Sequence, residues 1–343
     1  MKIIDIRSDT VTKPSKQMLE AMMSAEVGDD VFGEDPTVNA LQDKCSELTG
    51  KEASLFVTSG CLGNQLAIKS HTSQGNEVIV EKESHIINYE TAAPAIISNV
   101  QLMPVEGING VMSVKEIEKH IKGPEYYFPV TTLLCLENTH NRAGGTIQPF
   151  ESIKEIRALT KKHNIKMHLD GARIFNAIQE TGISLIEYSA YFDSVQFCFS
   201  KGLGAPVGSI LCGTKEFITK AHNWRKILGG GQRQAGILAA AGIYALENNI
   251  PLLKKDNDNA KYFASQLVKI EGININPDLV HTNIVVFSTN RFSKNELIEK
   301  LEKSGVRISS GAYNNLRAVF NLNVSKEDTE NAVKIFKDIF QNH

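Results

Sequence analysis

Two residues with the chemistry of a catalytic pair follow separate apolar segments of the chain. Asp170 closes the segment IKMHLD, and Lys201 stands 31 residues further along, directly after VQFCFS. Ligands of open α/β sheets bind beyond the carboxyl ends of the strands, so both side chains are expected to face one pocket. A lysine amine there can bind the aldehyde of pyridoxal phosphate as a Schiff base, while an aspartate keeps the pyridine nitrogen protonated. The pair therefore predicts a pyridoxal-phosphate site.

Each of these residues also has a structural interpretation. Asp170 is placed to cap the helix after DGAR, and Lys201 is compatible with a charged loop that happens to follow a strand. A single aspartate or lysine at a strand end more often has such a role, but the two together favour catalysis. The glycines of SKGLGAPVG support this, because they let the backbone approach a bulky planar ligand closely.

The segment VTSGCLGNQLA predicts a cradle for a phosphate group, directly after the predicted strand ASLFV. Ser59 and Gly60 form the turn and Cys61 begins a helix, whose first N–H groups and dipole favour an anion. The spacing matches neither a Walker loop nor a dinucleotide fingerprint, so it predicts neither ATP nor NAD binding. The cradle therefore complements the pair of Asp170 and Lys201.

His85 and Arg317 are further candidates for the same pocket. His85 follows the strand EVIV, where its ring can stack on the pyridine ring and move protons, although a lone histidine is more often structural. Arg317, in the C-terminal segment NNLRAVFNL, can bind a substrate carboxylate through two parallel hydrogen bonds. A salt bridge at a domain interface is the alternative role of Arg317.

Basic residues flank three consecutive glycines in WRKILGGGQRQAG. No predicted strand precedes these glycines, so they are expected to form a tight backbone passage and not a phosphate loop. The passage presents Arg225, Lys226 and Arg233 to an anion, either in this subunit or in the site of a partner subunit.

The composition excludes several classes of protein. A net charge of −2 over 343 residues argues against a nucleic-acid binder and favours small-molecule partners. Five widely spaced cysteines without a C-x-x-C pair predict neither disulfides nor a metal site, as expected in a reducing cytoplasm. Charges within MKIIDIRSDT argue against a signal sequence, and the apolar segment GILAAAGIYAL is too short to span a membrane.

Short apolar runs alternate with amphipathic stretches, a pattern typical of a mostly parallel sheet covered by helices. A helix is predicted over 36–49, with Asp35 as its N-cap and Gly50 at its end. After Pro251, two strands and three helices predict a smaller α+β unit, so we predict two domains, 1–249 and 250–343. The predicted strands of the first domain are ASLFV (53–57), EVIV (77–80), VQLMPV (100–105), TTLLCLE (131–137), IKMHLD (165–170), DSVQFCF (193–199) and GSILCG (208–213).

Long motifs in a fixed order span nearly the whole chain. They are RSDTVTKPSKQMLEAM, VGDDVFGEDPTVNALQ, GKEASLFVTSG, LENTHNRAGG, HLDGARIFNA, SKGLGAPVGS and WRKILGGGQRQAGILAAA. In these motifs the chain resembles the low-specificity threonine aldolases, pyridoxal-phosphate enzymes of the aspartate-aminotransferase-like fold (type I). The resemblance implies reversible cleavage of threonine, allo-threonine or a related β-hydroxy-α-amino acid to glycine and an aldehyde, within glycine biosynthesis.

The resemblance also implies roles for individual residues. Lys201 would bind the cofactor covalently, Asp170 would contact the pyridinium nitrogen, and His85 would stack over the ring. Arg173 would lie near the phenolic oxygen of the ring and, with Ser8 and Arg317, near the substrate carboxylate. Further cofactor contacts would come from Ser59, Gly60, Cys61 and Ser200, and from Lys226 and Arg233 across a dimer interface within a homotetramer, a dimer of dimers.

Several positions depart from the family's pattern. Tyr127, in PEYYFP, stands where many members have a histidine that helps to handle the β-hydroxyl. We expect Tyr127 to act there as a hydrogen-bond donor, because a neutral phenol with a pKa near 10 is a poor base at pH 7. Cys61 replaces a common threonine, which removes a hydroxyl contact to the phosphate. Phe32 replaces a common tyrosine and VFNLNVS, which contains Asn321, replaces VTHLDVS. The preference for threonine or allo-threonine is left open.

Other functions remain compatible with the sequence. Within the same fold, the chain could be a phenylserine aldolase or another pyridoxal-phosphate lyase of β-substituted amino acids. A third hypothesis is a nucleotide-dependent oxidoreductase or a non-catalytic binding protein. The lack of G-x-G-x-x-G after the first strand disfavours the oxidoreductase.

Overall fold

The computed structural model describes residues 3–341 of the chain. Its strands, β1 to β13 in chain order, are Ile4–Asp5, Ala53–Val57, Glu77–Glu81, Gln101–Val105, Thr131–Glu137, Lys166–Asp170, Ser194–Cys198, Ser209–Gly213, Ile273–Asn274, Ile284–Thr289, Val306–Arg307, Ser309–Ser310 and Leu316–Val319. Its α-helices, α1 to α13, are Lys16–Met23, Pro36–Thr49, Gly60–His71, His85–Asn88, Val114–His120, Phe150–Lys162, Ile174–Thr181, Leu185–Ser189, Lys215–Ile227, Gly236–Asn248, Leu253–Leu267, Lys294–Lys303 and Lys326–Gln341. Short 3-10 helices span Asp9–Val11, Asp30–Phe32, Ile250–Leu252 and Pro277–Leu279, and a π-helix spans Pro94–Ser98.

A seven-stranded sheet forms the centre of the larger unit, in the order β2-β8-β7-β6-β5-β3-β4. Strand β8 is antiparallel to both of its neighbours, and the other neighbouring strands are parallel. All seven strands predicted for this sheet are present, within one residue at each end. The predicted fold class, an α/β protein with a mostly parallel mixed sheet, is confirmed.

Local sequence explains why these elements begin and end where they do. Every residue of β7 is buried, as expected for a central strand that helices cover on both faces. The predicted cap of α2 is confirmed, because Asp35 Oδ1 accepts hydrogen bonds from the N–H groups of Thr37 and Val38. Gly50 ends α2 with a φ of +63°, a left-handed conformation that glycine adopts without strain.

The C-terminal part of the chain builds a second sheet, in the order β12-β13-β10-β9, all antiparallel. Helices α11 and α13 pack beside it around a separate apolar core that includes Phe263, Phe320 and Phe336. Strand β1 pairs in parallel with β11, and Ile4 and Ile6 join this second core. The N-terminal segment therefore packs with the C-terminal unit, although we assigned it to the first domain. The boundary near residue 250 stays a prediction.

Helix α10 is rich in alanine and packs closely against its neighbours. A Cβ atom on Gly242 would lie 3.0 Å from Leu41 on α2, so the small residue allows the two helices to approach. Within residues 3–341, no single helix is long and apolar enough to cross a membrane. The pair Gly236–Asn248 and Ile250–Leu267, bent by 57°, meets the criteria of length and composition only when both are taken together.

Helix α11 carries a buried carboxyl. Asp256 is 1% exposed, and neither of its oxygens has a hydrogen-bond partner within residues 3–341. Burial, together with the nearby charge of Asp9, raises the pKa of Asp256 to about 8. The carboxyl is therefore largely protonated in the folded protein at pH 7.

We expect the contribution of Asp256 to stability to fall as the pH rises from about 4 to about 8. In this interval the unfolded chain has already released the proton that the folded chain retains. The loss is about 1.4 kcal/mol per pH unit, several kcal/mol in all. Asp256→Asn should remove this slope, so the thermal midpoint of the variant should exceed that of the wild type most at pH 8. Asp258→Asn, which changes a half-exposed carboxyl on the same helix, is the control. Parallel midpoint curves for Asp256→Asn and the wild type would contradict the prediction.

Candidate active site

Asp170 and Lys201 lie at the same edge of the central sheet. Strands β6 and β7 are parallel neighbours, Asp170 is the last residue of β6, and Lys201 follows β7 by three residues. The chain then turns tightly, with hydrogen bonds from Gly204 N to Lys201 O (2.9 Å) and from Ala205 N to Phe199 O (3.0 Å). No hydrogen bond or ion pair within residues 3–341 involves Lys201 Nζ, so the amine is available for a ligand.

Asp170 is held as an anion in a buried position. The residue is 3% exposed, and its Oδ1 accepts from Ala172 N at 3.1 Å while Oδ2 accepts from Asn64 Nδ2 at 2.8 Å. Burial alone would raise the pKa of Asp170. The charges of His85 and Lys201 and the hydrogen bond from Asn64 outweigh burial and lower the pKa below its ordinary value. An ionised carboxylate at this place can contact a cationic ring nitrogen.

His85 begins the short helix α4 and is fixed at two points. Its backbone N–H donates to Glu137 Oε2 at 2.6 Å, and its ring Nδ1 lies 2.9 Å from Glu90 Oε1. Burial alone would lower the pKa of His85. The hydrogen bond to Glu90 and the charges of Asp170, Glu90 and Glu137 outweigh burial and raise the pKa. Because Nδ1 is engaged, Nε2 is the ring nitrogen that remains for a substrate.

The predicted phosphate cradle is the N-terminus of α3. Ser59 caps the helix, because its Oγ accepts from Leu62 N at 3.1 Å, and the N–H groups of Gly60 and Cys61 belong to the first turn. A Cβ atom on Gly60 would lie 2.8 Å from Cys198 Sγ, so only glycine fits this turn. Burial raises the pKa of the Cys61 thiol to about 11, which keeps it neutral beside an anion.

The three glycines of the segment WRKILGGGQRQAG run past this cradle as a tight passage. Gly229 has a φ of +74°, and a Cβ atom on Gly230 would lie 2.6 Å from Leu62 in the first turn of α3. Arg225 is buried and donates to Phe56 O and to Asp30 Oδ2, both at 2.7 Å, which is a structural role. The tight backbone passage is present as predicted, but the prediction that it presents Arg225 to an anion is wrong, because Arg225 is buried and paired within this chain.

Lys226 and Arg233 are not brought to the catalytic pair within one chain. Both are exposed, and Arg233 forms an ion pair of 2.9 Å with Asp29. No contact within residues 3–341 connects either of them to Lys201 or Asp170. Their predicted contribution to the site of a partner subunit stays a prediction.

A cluster of charged side chains gathers around Asp9. Arg173 donates to both carboxylate oxygens of Asp9, through Nε (2.6 Å) and Nη2 (2.7 Å). The Oδ1 atom of Asn141 accepts from Arg317 Nη1 at 3.1 Å and from Arg173 Nη1 at 3.5 Å. Burial alone would raise the pKa of Asp9, but the charges of Arg173, Lys201 and Arg317 lower it. Arg173 and Arg317 therefore lie in one cluster beside Lys201.

The predicted roles of the residues in this cluster stay predictions. Arg173 is 6% exposed, uses Nε and Nη2 on Asp9 and donates one hydrogen of Nη1 to Asn141, so the second hydrogen of Nη1 is left for a ligand. Burial and the charge of Arg173 lower the pKa of Arg317, which nevertheless remains a cation at physiological pH. Ser8, next to Asp9, accepts hydrogen bonds from the N–H and the hydroxyl of Thr10.

Tyr127 lies outside this cluster. It is 65% exposed and packs only against its chain neighbours, with ring centroids 5.4 Å from Tyr126 and 4.7 Å from Phe128. No contact within residues 3–341 joins Tyr127 to His85 or Lys201. The fold of one chain thus does not deliver the phenol to the site, and its catalytic role stays a prediction.

Residues that the sequence did not single out hold the site together. Glu137 and Asn141 lie in LENTHN at the end of β5, where the strand-end rule that singled out Asp170 applies equally. Glu137 Oε1 accepts from Asn141 N at 2.8 Å. Because Glu137 also accepts from His85 N and Asn141 also accepts from Arg317, this hydrogen bond connects His85 with the arginine cluster. Asp9 and Asn64 had no comparable signal, because their partners Arg173 and Asp170 are 164 and 106 residues away in the chain. Glu90 lies only five residues from His85, but it does not follow a strand.

Comparisons with known proteins show the family and the fold of this chain. The profile of the beta-eliminating lyase family matches residues 5–290. The low specificity L-threonine aldolase of Escherichia coli (strain K12) is 44% identical, over 95% of this chain and 96% of that protein. Low-specificity L-threonine aldolase 1 of Arabidopsis thaliana is 39% identical, over 98% of this chain and 96% of that protein. The structure of Leishmania major threonine aldolase matches with a TM-score of 0.84 over 98% of this chain and 99% of that chain, at 17% identity.

The fold, which places Asp170 and Lys201 after neighbouring parallel strands, is that of the aspartate-aminotransferase-like enzymes, type I of the pyridoxal-phosphate enzymes. The structural match, at 17% identity, shows the fold alone, whereas the sequence matches are closer. The chain belongs to the beta-eliminating lyase family and, within it, to the low-specificity L-threonine aldolases.

Proposed function

We propose that this chain cleaves threonine, allo-threonine and related β-hydroxy-α-amino acids to glycine and an aldehyde, with pyridoxal phosphate as cofactor. The observation that carries the proposal is the buried, ionised Asp170 beside the unpaired Lys201 at one sheet edge, in a chain whose relatives are named threonine aldolases. When bound, the cofactor supplies an electron sink for the pair of electrons released by the broken carbon–carbon bond.

The residues present fit this cofactor. A phosphate group suits the first turn of α3, where the N–H groups of Gly60 and Cys61 have no partner within the helix. The anionic carboxylate of Asp170 suits a protonated ring nitrogen, and the amine of Lys201 suits an aldehyde. His85 would stack on the face of the cofactor ring, and Arg173 would lie near its phenolic oxygen. Further cofactor contacts would come from Ser59, Cys61 and Ser200.

Substrate orientation is the proposed task of Arg317. Its guanidinium would bind the substrate carboxylate with two hydrogen bonds, together with Ser8 and the remaining hydrogen of Arg173 Nη1. By fixing the carboxylate, Arg317 would also fix the orientation of the bonds at Cα, and so would select the Cα–Cβ bond for cleavage.

His85 would accept the proton of the β-hydroxyl at Nε2, because Glu90 holds Nδ1. The raised pKa of His85 means that the neutral, basic form is populated at higher pH than for an ordinary histidine. Activity should therefore rise with pH over a range displaced upward from the titration range of an ordinary histidine. Lys226 and Arg233 would enter the site from a partner subunit, across a dimer interface of a cytoplasmic homotetramer. Tyr127 would act as a hydrogen-bond donor near the β-hydroxyl.

Product analysis tests the proposed reaction. The purified protein with pyridoxal phosphate should convert L-threonine and L-allo-threonine to equal amounts of glycine and acetaldehyde. A keto acid with ammonia would instead identify a β-eliminating lyase and refute the proposal. A much higher kcat/KM for phenylserine than for both threonines would favour the alternative phenylserine aldolase.

Arg317→Lys should raise the KM for threonine by about 10- to 100-fold, because an ammonium cannot form two parallel hydrogen bonds with a carboxylate. The value of kcat should fall less than the value of KM rises. Arg307→Lys is the control, since Arg307 pairs with Glu302 on the surface of the same C-terminal unit. Steady-state kinetics check the result, and an unchanged KM in Arg317→Lys would exclude this residue from carboxylate binding.

A further inference from the structure

A line of buried polar side chains crosses the central sheet behind Asp170. His168 and Asp170 are two residues apart on β6, so they project from the same face of the strand. Asn64 and His71 are seven residues apart on α3 and share one helix face. Ser194 begins β7 directly beside His168. Strand and helix periodicities thus bring five polar residues into one row.

The row is continuous at hydrogen-bond distance. His71 Nε2 lies 2.8 Å from Ser194 Oγ, which lies 2.8 Å from His168 Nδ1. His168 Nε2 lies 3.1 Å from Asn64 Oδ1, and Asn64 Nδ2 lies 2.8 Å from Asp170 Oδ2. Asn64, His168 and Ser194 are each at most 1% exposed. The line therefore joins the far edge of the sheet to the edge that carries the candidate site.

The two carboxylates determine which atoms of Asn64 face them. Asp170 Oδ2 and Glu90 Oε1 are both acceptors, and Asn64 Nδ2 donates to each of them at 2.8 Å. Both amide hydrogens are then in use, and the carbonyl oxygen of Asn64 must accept from His168 Nε2. The charged groups that face Asp170 across this site are His85, Lys201 and, when protonated, His168.

Neutral histidines determine the direction of the remaining donors. Burial lowers the pKa of His71 to about 3 and that of His168 to about 4, so each ring carries one N–H at neutral pH. Since His168 donates through Nε2, its Nδ1 accepts the hydroxyl hydrogen of Ser194. The hydroxyl oxygen then accepts from His71 Nε2. Every donor in the line points toward Asp170.

Asn64 also controls the histidine side of the site. Glu90 Oε1 accepts from Asn64 and is paired with His85 Nδ1, while Glu90 Oε2 accepts from Gln65 Nε2 at 2.5 Å. The amide group of Asn64 therefore holds two carboxylates. One is Asp170, which is assigned to the ring nitrogen of the cofactor, and the other is Glu90, which orients the ring of His85. Without these two donated hydrogens, two buried anions would lie side by side without a shared partner.

We infer that Asn64 is a positioning residue, which holds Asp170 and Glu90 for the cofactor and is itself oriented by the donor line from His71 through Ser194 and His168. The inference rests on the proposed assignment of Asp170 to the cofactor ring. It does not require threonine to be the substrate. It concerns affinity for the cofactor and the protonation of the bound cofactor, which are measured without substrate.

Asn64→Asp, the isosteric change, places a third carboxylate between Asp170 and Glu90. We expect pyridoxal phosphate to bind at least about tenfold more weakly, since two hydrogen bonds to charged groups are lost. The pH midpoint of the visible absorbance of the bound cofactor should shift by about one unit or more. Equilibrium dialysis with pyridoxal phosphate and a spectrophotometric pH titration measure the two effects.

Asn257→Asp is a matched control for the folding cost. Asn257 is another fully buried asparagine, and its Nδ2 donates to the carboxylate of Glu180 at 2.8 Å, so the substitution also opposes two carboxylates. It should lower the thermal midpoint while leaving cofactor affinity and the spectral midpoint as in the wild type. This variant separates a positioning effect from general destabilisation.

Ser194→Ala breaks the line at a position that His168 and Asn64 separate from Asp170. Ser194→Thr retains the hydroxyl. Ser194→Ala should shift the spectral midpoint in the same direction as Asn64→Asp but by less, and Ser194→Thr should resemble the wild type. An Asn64→Asp protein with wild-type cofactor affinity and spectral midpoint would overturn the inference. If Asn64→Asp does not fold, equal spectral midpoints for Ser194→Ala and Ser194→Thr would overturn it. A wild type that binds cofactor but does not cleave threonine would refute the proposed reaction alone.

Discussion

Lys201→Ala should lower kcat/KM for threonine cleavage by at least about 1000-fold. The amine of Lys201 is the group that would bind the cofactor aldehyde covalently. Lys82, which follows the parallel strand β3 at the same edge, is instead paired with Glu106 at 2.8 Å. The variant should retain at most weakly bound pyridoxal phosphate after gel filtration. Coupled assays of acetaldehyde formation, with the absorbance of the purified protein, measure both effects.

Lys201→Arg is the matched variant for this prediction. It retains a positive charge beside Asp170 but has no nucleophilic amine at neutral pH, so it should be as inactive as Lys201→Ala. Retention of activity in Lys201→Arg would assign the effect to charge and not to covalent chemistry. Borohydride treatment followed by peptide mapping should label the wild type at Lys201, and label at another lysine would refute the assignment.

Asp170→Asn should lower kcat/KM by about 100- to 1000-fold, the range expected when a preorganised electrostatic contact to the reacting system is removed. The amide is isosteric but uncharged, so a protonated ring nitrogen loses its anionic partner. The folded protein should not be strongly destabilised, because a buried charge is removed as well. Steady-state kinetics and the absorbance of the bound cofactor are the measurements.

Asp193→Asn is the control for the loss of an ion-paired, half-buried aspartate beside the same sheet. Asp193 precedes β7 at the opposite edge and pairs with Arg157 at 2.6 Å and with Lys166 at 3.1 Å. Burial opposes ionisation of Asp193, but these hydrogen bonds and charges lower its pKa to about 2. The substitution should therefore lower the thermal midpoint without changing kcat/KM. Equal losses of activity in the two variants would show that the effect at Asp170 is not specific to the site.

Much of the fold could be predicted from the sequence, because its signals are local. The strand of residues 194–198 is a run that is buried on both faces, and α2 carries its cap and its terminating glycine within the segment that they delimit. The candidate pair could be found for a related reason. Asp170 and Lys201 each follow such a run, and parallel strands end at the same edge of a sheet.

Other features were beyond prediction from the sequence. The parallel pairing of β1 with β11 joins residues about 300 positions apart, and nothing in the sequence of either strand specifies the other. The exposed position of Tyr127 likewise depends on where its loop lies relative to the folded core. Only the resemblance to the family, in which many members have a histidine at this position, suggested that Tyr127 lies in the site.

The sequence by itself determined the chemical groups available at this site and the sheet edge to which strand periodicity delivers them. The tertiary structure alone decided which of these groups meet. Asp9 binds Arg173 across 164 residues of chain, and Asn64 binds Asp170 across 106. A buried charge must find a partner in the folded core, whatever its position in the chain, because burial without one costs several kcal/mol. The identities of those partners depend on the packing of distant elements, which no local pattern records.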